Sequence, residues 1–597
     1  MKHQHSIRND NGESGAALVM ALLMMALLLA LSMAMSLTAV SELGVSTTYS
    51  NQTQAFQAAE AGLYHAVNLT RNYSGVSDTL GIPDPGFTSL LKERNLNATA
   101  NSYYLTGNNP FTDPARFAAG SVMITNDDPD DNLAGHMLRS ANMDGAGNQV
   151  PVPGVHYRVH VIDDEALNHD PLGAGPFVPN FSPTILSPWD DTPKTVDSKD
   201  KDLNNRVVVY STGTYGSSSV TVEGWIGFVP YPAFVAQKDV TVGGSAKLEG
   251  AYGGVHSNGN LSVVGSSDIE QTATAVGTGT YSTSGTIGGF HAGGQDALYI
   301  PKFVTEPTAT SSPHLPDYLV READVILLDP GFADGATRDL TGTSAATVRF
   351  RKLADSLGIP PSQYAAFGTA IDASSAGTVS QSSAEAVEIT RDATTGAITL
   401  TRATTLLPTY GWSYSGTDWS IPSNSNPPPR TFYVVGMDNY NVATPGSSTP
   451  NGGNVKITGN AGSLVPLRMT ILCTGSIEVA GNPNLVADVQ GLKTPELPPF
   501  VDVNILFVAV EDLKINGDVG VGNGTIQFSG ICYAGEQVYL SGNGSIQGQV
   551  LALNNQNVSH SPVDREDNEI TGSFTLDFNG GKAVGKITLL SWRQIKQ

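Results

Sequence analysis

His156, Arg158 and His160 alternate along VHYRVHVIDD, residues 155–164. Residues two apart on a strand share a face, so both imidazoles would stand on one side as candidate metal ligands. The Arg158 cation between them opposes that, and no nearby Cys/His set completes a zinc shell. The expectation is a solvated strand face. NDDPDDN (126–132) and DSKDKDLNN (197–205) offer the oxygen ligands that Ca²⁺ takes. Neither follows the EF-hand order D-x-[DN]-x-[DN]-G-x5-E. Solvated acidic loops are therefore expected, with no resident cofactor and Ca²⁺ left open. Cys473 and Cys532 lack zinc spacing, and the plainer expectation is two unpaired, buried, small apolar residues.

Catalytic signatures are missing from the sequence. It contains no G-x-S-x-G, no H-E-x-x-H and no P-loop, and the glycines of GDVGVGNG (517–524) fall in a repeat turn rather than between strand and helix. The chain is expected not to be an enzyme. A carbohydrate-active β-helix enzyme is the rival reading, since such enzymes use Ca²⁺, carboxylates and a basic residue. The acidic clusters here lie outside the repeats, which argues against it.

The elements that carry these residues follow from composition. Only 15% of the 597 residues are charged, with 64 Gly and 35 Pro, which suits short strands and many turns. A formal charge of -23 argues against nucleic-acid binding, which needs a basic face to displace phosphate counterions. The fold class expected is mainly β with a long N-terminal helix: a pilin-like helix and antiparallel sheet, then a β-solenoid domain with an insertion.

Residues 16–41, AALVMALLMMALLLALSMAMSLTAVS, carry no charge. About 20 helical residues cross a bilayer core of roughly 30 Å, and Leu, Met and Ala are good helix formers. Helical composition continues beyond Glu42 to about Arg71, with Ala55, Phe56, Ala59, Leu63 and Val67 at 3- and 4-residue steps. One helix over 16–71, on the order of 80 Å long, would be lipid-like over 16–41 and amphipathic over 42–71. Gly44 is its weak point. Ala55, Phe56, Ala59 and Leu63 would pack against the head.

Gly15-Ala16-Ala17-Leu18-Val19, the apolar run and AFQAAEAGL (55–63) together resemble the N-terminal segment of PilX-type minor pilins, a family of type IV pilus assembly proteins. The resemblance implies a leader over 1–15, cut by a prepilin peptidase after Gly15, so that Ala16 becomes the mature N-terminus. It also implies a single-pass inner-membrane protein with a periplasmic head, then a place in a pilus or at the cell surface beside other pilin-like subunits. Major pilins carry Glu at the fifth mature position, which here is Met20. Such a subunit offers its own amine to a neighbour's Glu but cannot receive one, which suits a low-copy end position. A membrane-anchored adhesin outside any filament, with a surface or polysaccharide ligand, is the other reading.

Residues 72–230 read as a β-rich head. VHYRVHVIDD and the two halves of NRVVVYSTGTYGSSSVTVEGWIGFVP (205–230) are expected to form three antiparallel strands beside the helix. Residues 231–300 and 431–597 share a motif in which two apolar residues at period two precede a glycine. It occurs at Val240/Val242/Gly244, Leu261/Val263/Gly265, Val455/Ile457/Gly459, Ile477/Val479/Gly481, Leu513/Ile515/Gly517 and Val538/Leu540/Gly542. Spacings of about 21 to 36 residues suit one coil of a β-solenoid; a β-sandwich with irregular hairpins is the alternative. Residues 301–430 break the repeat and read as a projecting insertion, with a helix at ATVRFRKLADSLG (346–358).

Overall fold

A computed structural model describes residues 13–72, 122–123, 136–143, 149–163 and 206–595, apart from 301, 305–313, 375–376, 393–396, 405–410, 422–428, 437–451, 463–465, 488–504, 518–528, 555–566 and 581–584. The chain divides into two compact units. One comprises Met1–Leu69, Leu91–Gly227 and Leu589–Gln597, the other Thr70–Leu90 and Phe228–Thr588. The leader residues 1–12 and both acidic loops, 126–132 and 197–205, lie outside the described residues.

The first unit is built on the helix Glu13–Asn72, 60 residues without interruption and about 90 Å long. Gly44 does not break it; nothing lies within 4 Å of where its Cβ would stand. The threonines in its exposed part do not leave their hydroxyls bare. Thr38 donates to the Ala34 carbonyl at 3.0 Å, Thr47 to Leu43 and Thr48 to Gly44 at 2.8 Å, and Thr53 to Tyr49 at 2.9 Å. Beside it, Gln149–Asp163, Arg206–Tyr215 and Ser218–Pro230 form an antiparallel meander. The Gly216 turn, at φ +58, joins the last two. Gly585–Ile595, near the C-terminus, completes this sheet beside Ser218–Pro230. From Leu589 onward this strand, expected within the repeat domain 431–597, falls in the first unit.

In the second unit all six repeat motifs fall in one ladder. Its order is Gly279–Thr283, Leu261–Gly265, Val240–Val242, Asn568–Ile570, Val538–Ser541, Leu513–Gly517, Ile477–Gly481, Asn454–Ile457, Asp418–Ile421 and Ser413–Ser415, all parallel except the last pair. The chain enters mid-stack at Val240, builds outward to Thr283, crosses to the far end and returns coil by coil. The last coil then closes on the first through Val550–Ala552 with Phe234–Ala236 and Thr575–Asp577 with Lys247–Glu249. Both clusters are thus a single ladder.

Within 301–430, expected to form an insertion, the described strands join the two sheets of the stack. Val325–Leu328, Glu385–Arg391 and Ile398–Arg402 extend a second sheet of the same stack, and Asp418–Ile421 extends the first. The helix Ala345–Ser356 forms where its sequence indicates, with the Ser344 hydroxyl capping Thr347 N. The second sheet is covered on both faces. Val325, Phe432 and Ile471 point into the coil interior, while Ile326, Tyr433 and Leu472 meet a layer with Phe350, Leu353 and Phe367 from the helices. Such strands read as unbroken apolar runs.

Two columns hold the coils in register. Gly265, Gly244, Gly572, Gly542, Gly517, Gly481 and Gly459 all have positive φ, between +69° and +125°. They stack so closely that a Cβ on Gly517 would lie 2.6 Å from the Gly481 carbonyl oxygen, and one on Gly542 2.6 Å from that of Gly517. A polar column runs alongside. Asn454 Oδ1 accepts from Ser476 N at 3.0 Å, Asp512 Oδ1 from Gln537 N at 3.1 Å, Asn568 Oδ1 from Val538 N at 3.0 Å, and Asp239 Oδ1 from Asn260 N at 2.7 Å. Each side chain satisfies an amide of the neighbouring coil; for the buried Gln537 and Val538 amides, an orphaned N–H would cost about 1–3 kcal/mol.

Cys473 and Cys532 are both buried and free. Cys473 pairs in register with Ala509, and Cys532 with Phe507, so the strand Ile505–Ala509 separates them. Burial raises both thiols well above their ordinary range, which makes them poor nucleophiles.

Asp329 gives this unit a pH dependence. It is buried, and its carboxylate accepts from Trp419 Nε1 at 2.9 Å and Gly453 N at 2.7 Å. Burial outweighs those bonds and pushes its pKa up to about 6. The folded state therefore holds the proton more tightly than the unfolded chain does. The resulting stability is complete below pH 3.8 and is lost as pH rises through about 6, an effect of about 3 kcal/mol. The difference in denaturant midpoint between wild type and Asp329→Asn should change between pH 4 and pH 7, with the wild type losing stability relative to the variant as pH rises. A pH-independent difference would contradict this assignment.

Candidate assembly interface

The helix changes surroundings along its length. From Leu18 to Tyr49 its large apolar side chains are exposed, with Leu28 at 67% and Tyr49 at 72%. Over Ala16–Tyr64 it is long and apolar enough to cross a membrane. From Ala55 onward one stripe is buried: Ala55, Ala58, Ala59, Leu63, Ala66 and Val67 are at most 3% exposed. Ala55, Ala59 and Leu63 therefore lie together in the interior, while Phe56 sits half-buried at the stripe's rim. There its ring meets Trp592 of the C-terminal strand, with centroids 5.8 Å apart.

The sheet reaches this stripe through two glycines. A Cβ at Gly213 would collide with the Ala55 carbonyl oxygen and the Ala59 amide, and would lie 2.9 Å from Ala58 Cβ. At Gly224, on the next strand, it would collide with Leu63 and lie 3.0 Å from Leu589 Cδ1. Small residues on the helix and none on the strand bring the two backbones into near contact. Gly213, Gly224, Ala58 and Ala66 complete the join and were not singled out from the sequence. A glycine inside a strand signals close backbone approach, which could have found the first two.

The C-terminal strand is fastened electrostatically. Glu223, 3% exposed, receives Arg593 Nη2 at 3.0 Å on Oε1 and 3.2 Å on Oε2, and Trp225 Nε1 at 3.3 Å. This pairing satisfies a buried carboxylate that would otherwise be costly. Thr212 and Thr221 add a hydroxyl pair at 2.9 Å across the meander. A cleft of about 520 Å³ opens beside the join, lined by Tyr49, Gln52, Thr53, Phe56, Ser219, Val220, Gln594 and Ile595.

Gly15 and Ala16, expected to flank a cleavage point, lie within the helix Glu13–Asn72, and Ala16 is exposed. His156 lies half-buried on the strand Gln149–Asp163; the side chain of His160 lies outside the described residues. Among the described residues no group of three His, Cys, Asp or Glu could hold a metal ion.

Residues 14–63 match the family model described as PilX N-terminal. No curated protein matches the chain. Among solved structures, the crystal structure of the competence-associated pilin ComZ from Thermus thermophilus aligns over 91% of this chain and 98% of its own, at 12% identity and a TM-score of 0.25.

Proposed function

We infer that this chain is a minor structural subunit of a type IV pilus or related pseudopilus, a reading supported by the match of residues 14–63 to the PilX N-terminal family model. One observation supports this most: a single helix is bare and apolar over its first half and locked to a sheet through Gly213 and Gly224 over its second. The bare half holds the subunit in the inner membrane and later among other pilin-like helices; the locked half carries the head. A prepilin peptidase cuts after Gly15, leaving Ala16 first.

The position is at the tip or in assembly priming. Met20 stands where a shaft subunit would need a carboxylate to meet a neighbour's amine, and a head enlarged by residues 228–588 suits an end better than a repeating lattice. There the β-rich head serves adhesion or contact with other subunits. Gold-labelled antibody against the second unit should mark fibre ends. Labelling spaced regularly along the shafts would contradict the end position, and fibre-free labelling over the cell surface would favour an anchored adhesin.

A further inference from the structure

The two ends of the coil stack are finished differently. At one end the parallel ladders give way to antiparallel strands, Ser413–Ser415 on one sheet and Glu385–Arg391 with Ile398–Arg402 on the other. At the other end lie Gly279–Thr283 and Ile287–Ala292. Among the described residues each pairs with the preceding coil alone.

That last coil leaves its core registers open. Tyr281 stands in register with Val263, Ile287 with Ile269, Phe290 with Ala273 and Ala292 with Ala275. The preceding residues are at most 1% exposed, whereas Tyr281 is 51% exposed and Ile287, Phe290 and Ala292 are only partly covered. Tyr281 and Phe290 stack on each other, centroids 5.6 Å apart, across the mouth of the interior. Stacked-repeat proteins ordinarily close such an end with a polar cap, and exposed strand edges ordinarily carry charges that discourage further pairing. Here no Asp, Glu, Lys or Arg occurs between Glu270 and Asp296.

We propose that the terminal coil, residues 279–292, is a docking edge for an extended, uncharged segment of another protein, which adds as the next strand and covers Tyr281 and Phe290. The free hydrogen-bonding groups of a strand edge call for a polypeptide backbone, and strand addition is an established mode of peptide recognition. The open interior beneath selects apolar side chains at alternate positions. A second copy of this chain is a poorer occupant, because each copy brings a charge of -23. The proposal does not depend on where in a fibre the subunit sits.

The test uses the full chain in detergent and a synthetic peptide copying residues 258–266, whose central part already pairs in parallel with Gly279–Thr283. Hydrogen exchange at the amides of 279–292 is followed with and without peptide, while light scattering reports the oligomeric state. The outward amides, those not bonded to the preceding coil, should exchange rapidly in the free monomer and slow at least tenfold with peptide. The slowing should vanish with the peptide's Val263 position changed to Lys, and in the variant Thr280→Lys/Ser282→Lys, whose substitutions fall on exposed positions. Outward amides already protected in the free monomer, no slowing with the uncharged peptide, or protection that tracks dimer formation would each overturn the proposal.

Discussion

Replacing Gly213 with valine is expected to free the head from the helix while leaving membrane insertion intact. The new side chain would meet the helix backbone at Ala55 and Ala59, where no rotamer change can relieve the overlap. Overpacking of this kind costs about 1–3 kcal/mol or more, and the shift it forces would also uncover Leu63 and the Phe56–Trp592 pair. Limited proteolysis in detergent should cut between helix and sheet many times faster than in wild type. Ala59→Arg should do the same from the helix side, since it places an unpaired cation where the native residue is fully buried. Gly44→Ala, at a position open to its surroundings, should leave the pattern unchanged. Wild-type protease resistance in both Gly213→Val and Ala59→Arg would remove the join from this account.

The second large effect is expected at Gly517→Val, in the glycine column. Its φ of +125° lies in a region L-residues avoid, and its Cβ would press on the Gly481 backbone. A left-handed conformation costs about 1–2 kcal/mol and the overlap about 1–3 kcal/mol, so the second unit should lose about 4 kcal/mol. Gly416→Ala separates the two causes. That glycine has a φ of +69° in the hairpin of Ser413–Ser415 and Asp418–Ile421, with nothing within 4 Å, so only the conformational cost of about 1–2 kcal/mol should appear. Denaturant midpoints of the two variants compare them directly. Equal losses would mean that close stacking adds nothing.

What the sequence discloses and what it conceals divide along the range of the interactions. Motifs such as Leu513/Ile515/Gly517 are local: period two places both apolar residues inward, and the glycine marks a turn. The antiparallel strands around VHYRVHVIDD are legible for the same reason. That the glycines also stack on one another is a property of neighbouring coils, so no single motif reveals it. The closure of Val550–Ala552 on Phe234–Ala236 joins residues far apart in the chain and leaves no local periodicity. For that reason 301–430 reads as an interruption although its strands continue the sheets. The join behaves alike. The steps between Ala55, Ala59 and Leu63 are visible on the helix, but Ala58 and Ala66 suit either face. The partner strand Gly585–Ile595 lies at the opposite end of the sequence and carries no sign that it packs beside residue 223.

The central claim is that the helix is an assembly device of the PilX type, released from a leader and carrying the head through the Gly213 join. Intact mass and N-terminal sequencing of the protein from cells with active prepilin peptidase test it most directly. The account predicts a mature chain beginning at Ala16, and an unprocessed chain when Gly15 is replaced by a bulky residue. A chain that begins at Met1 in those cells would contradict it and leave a membrane-anchored surface protein in its place.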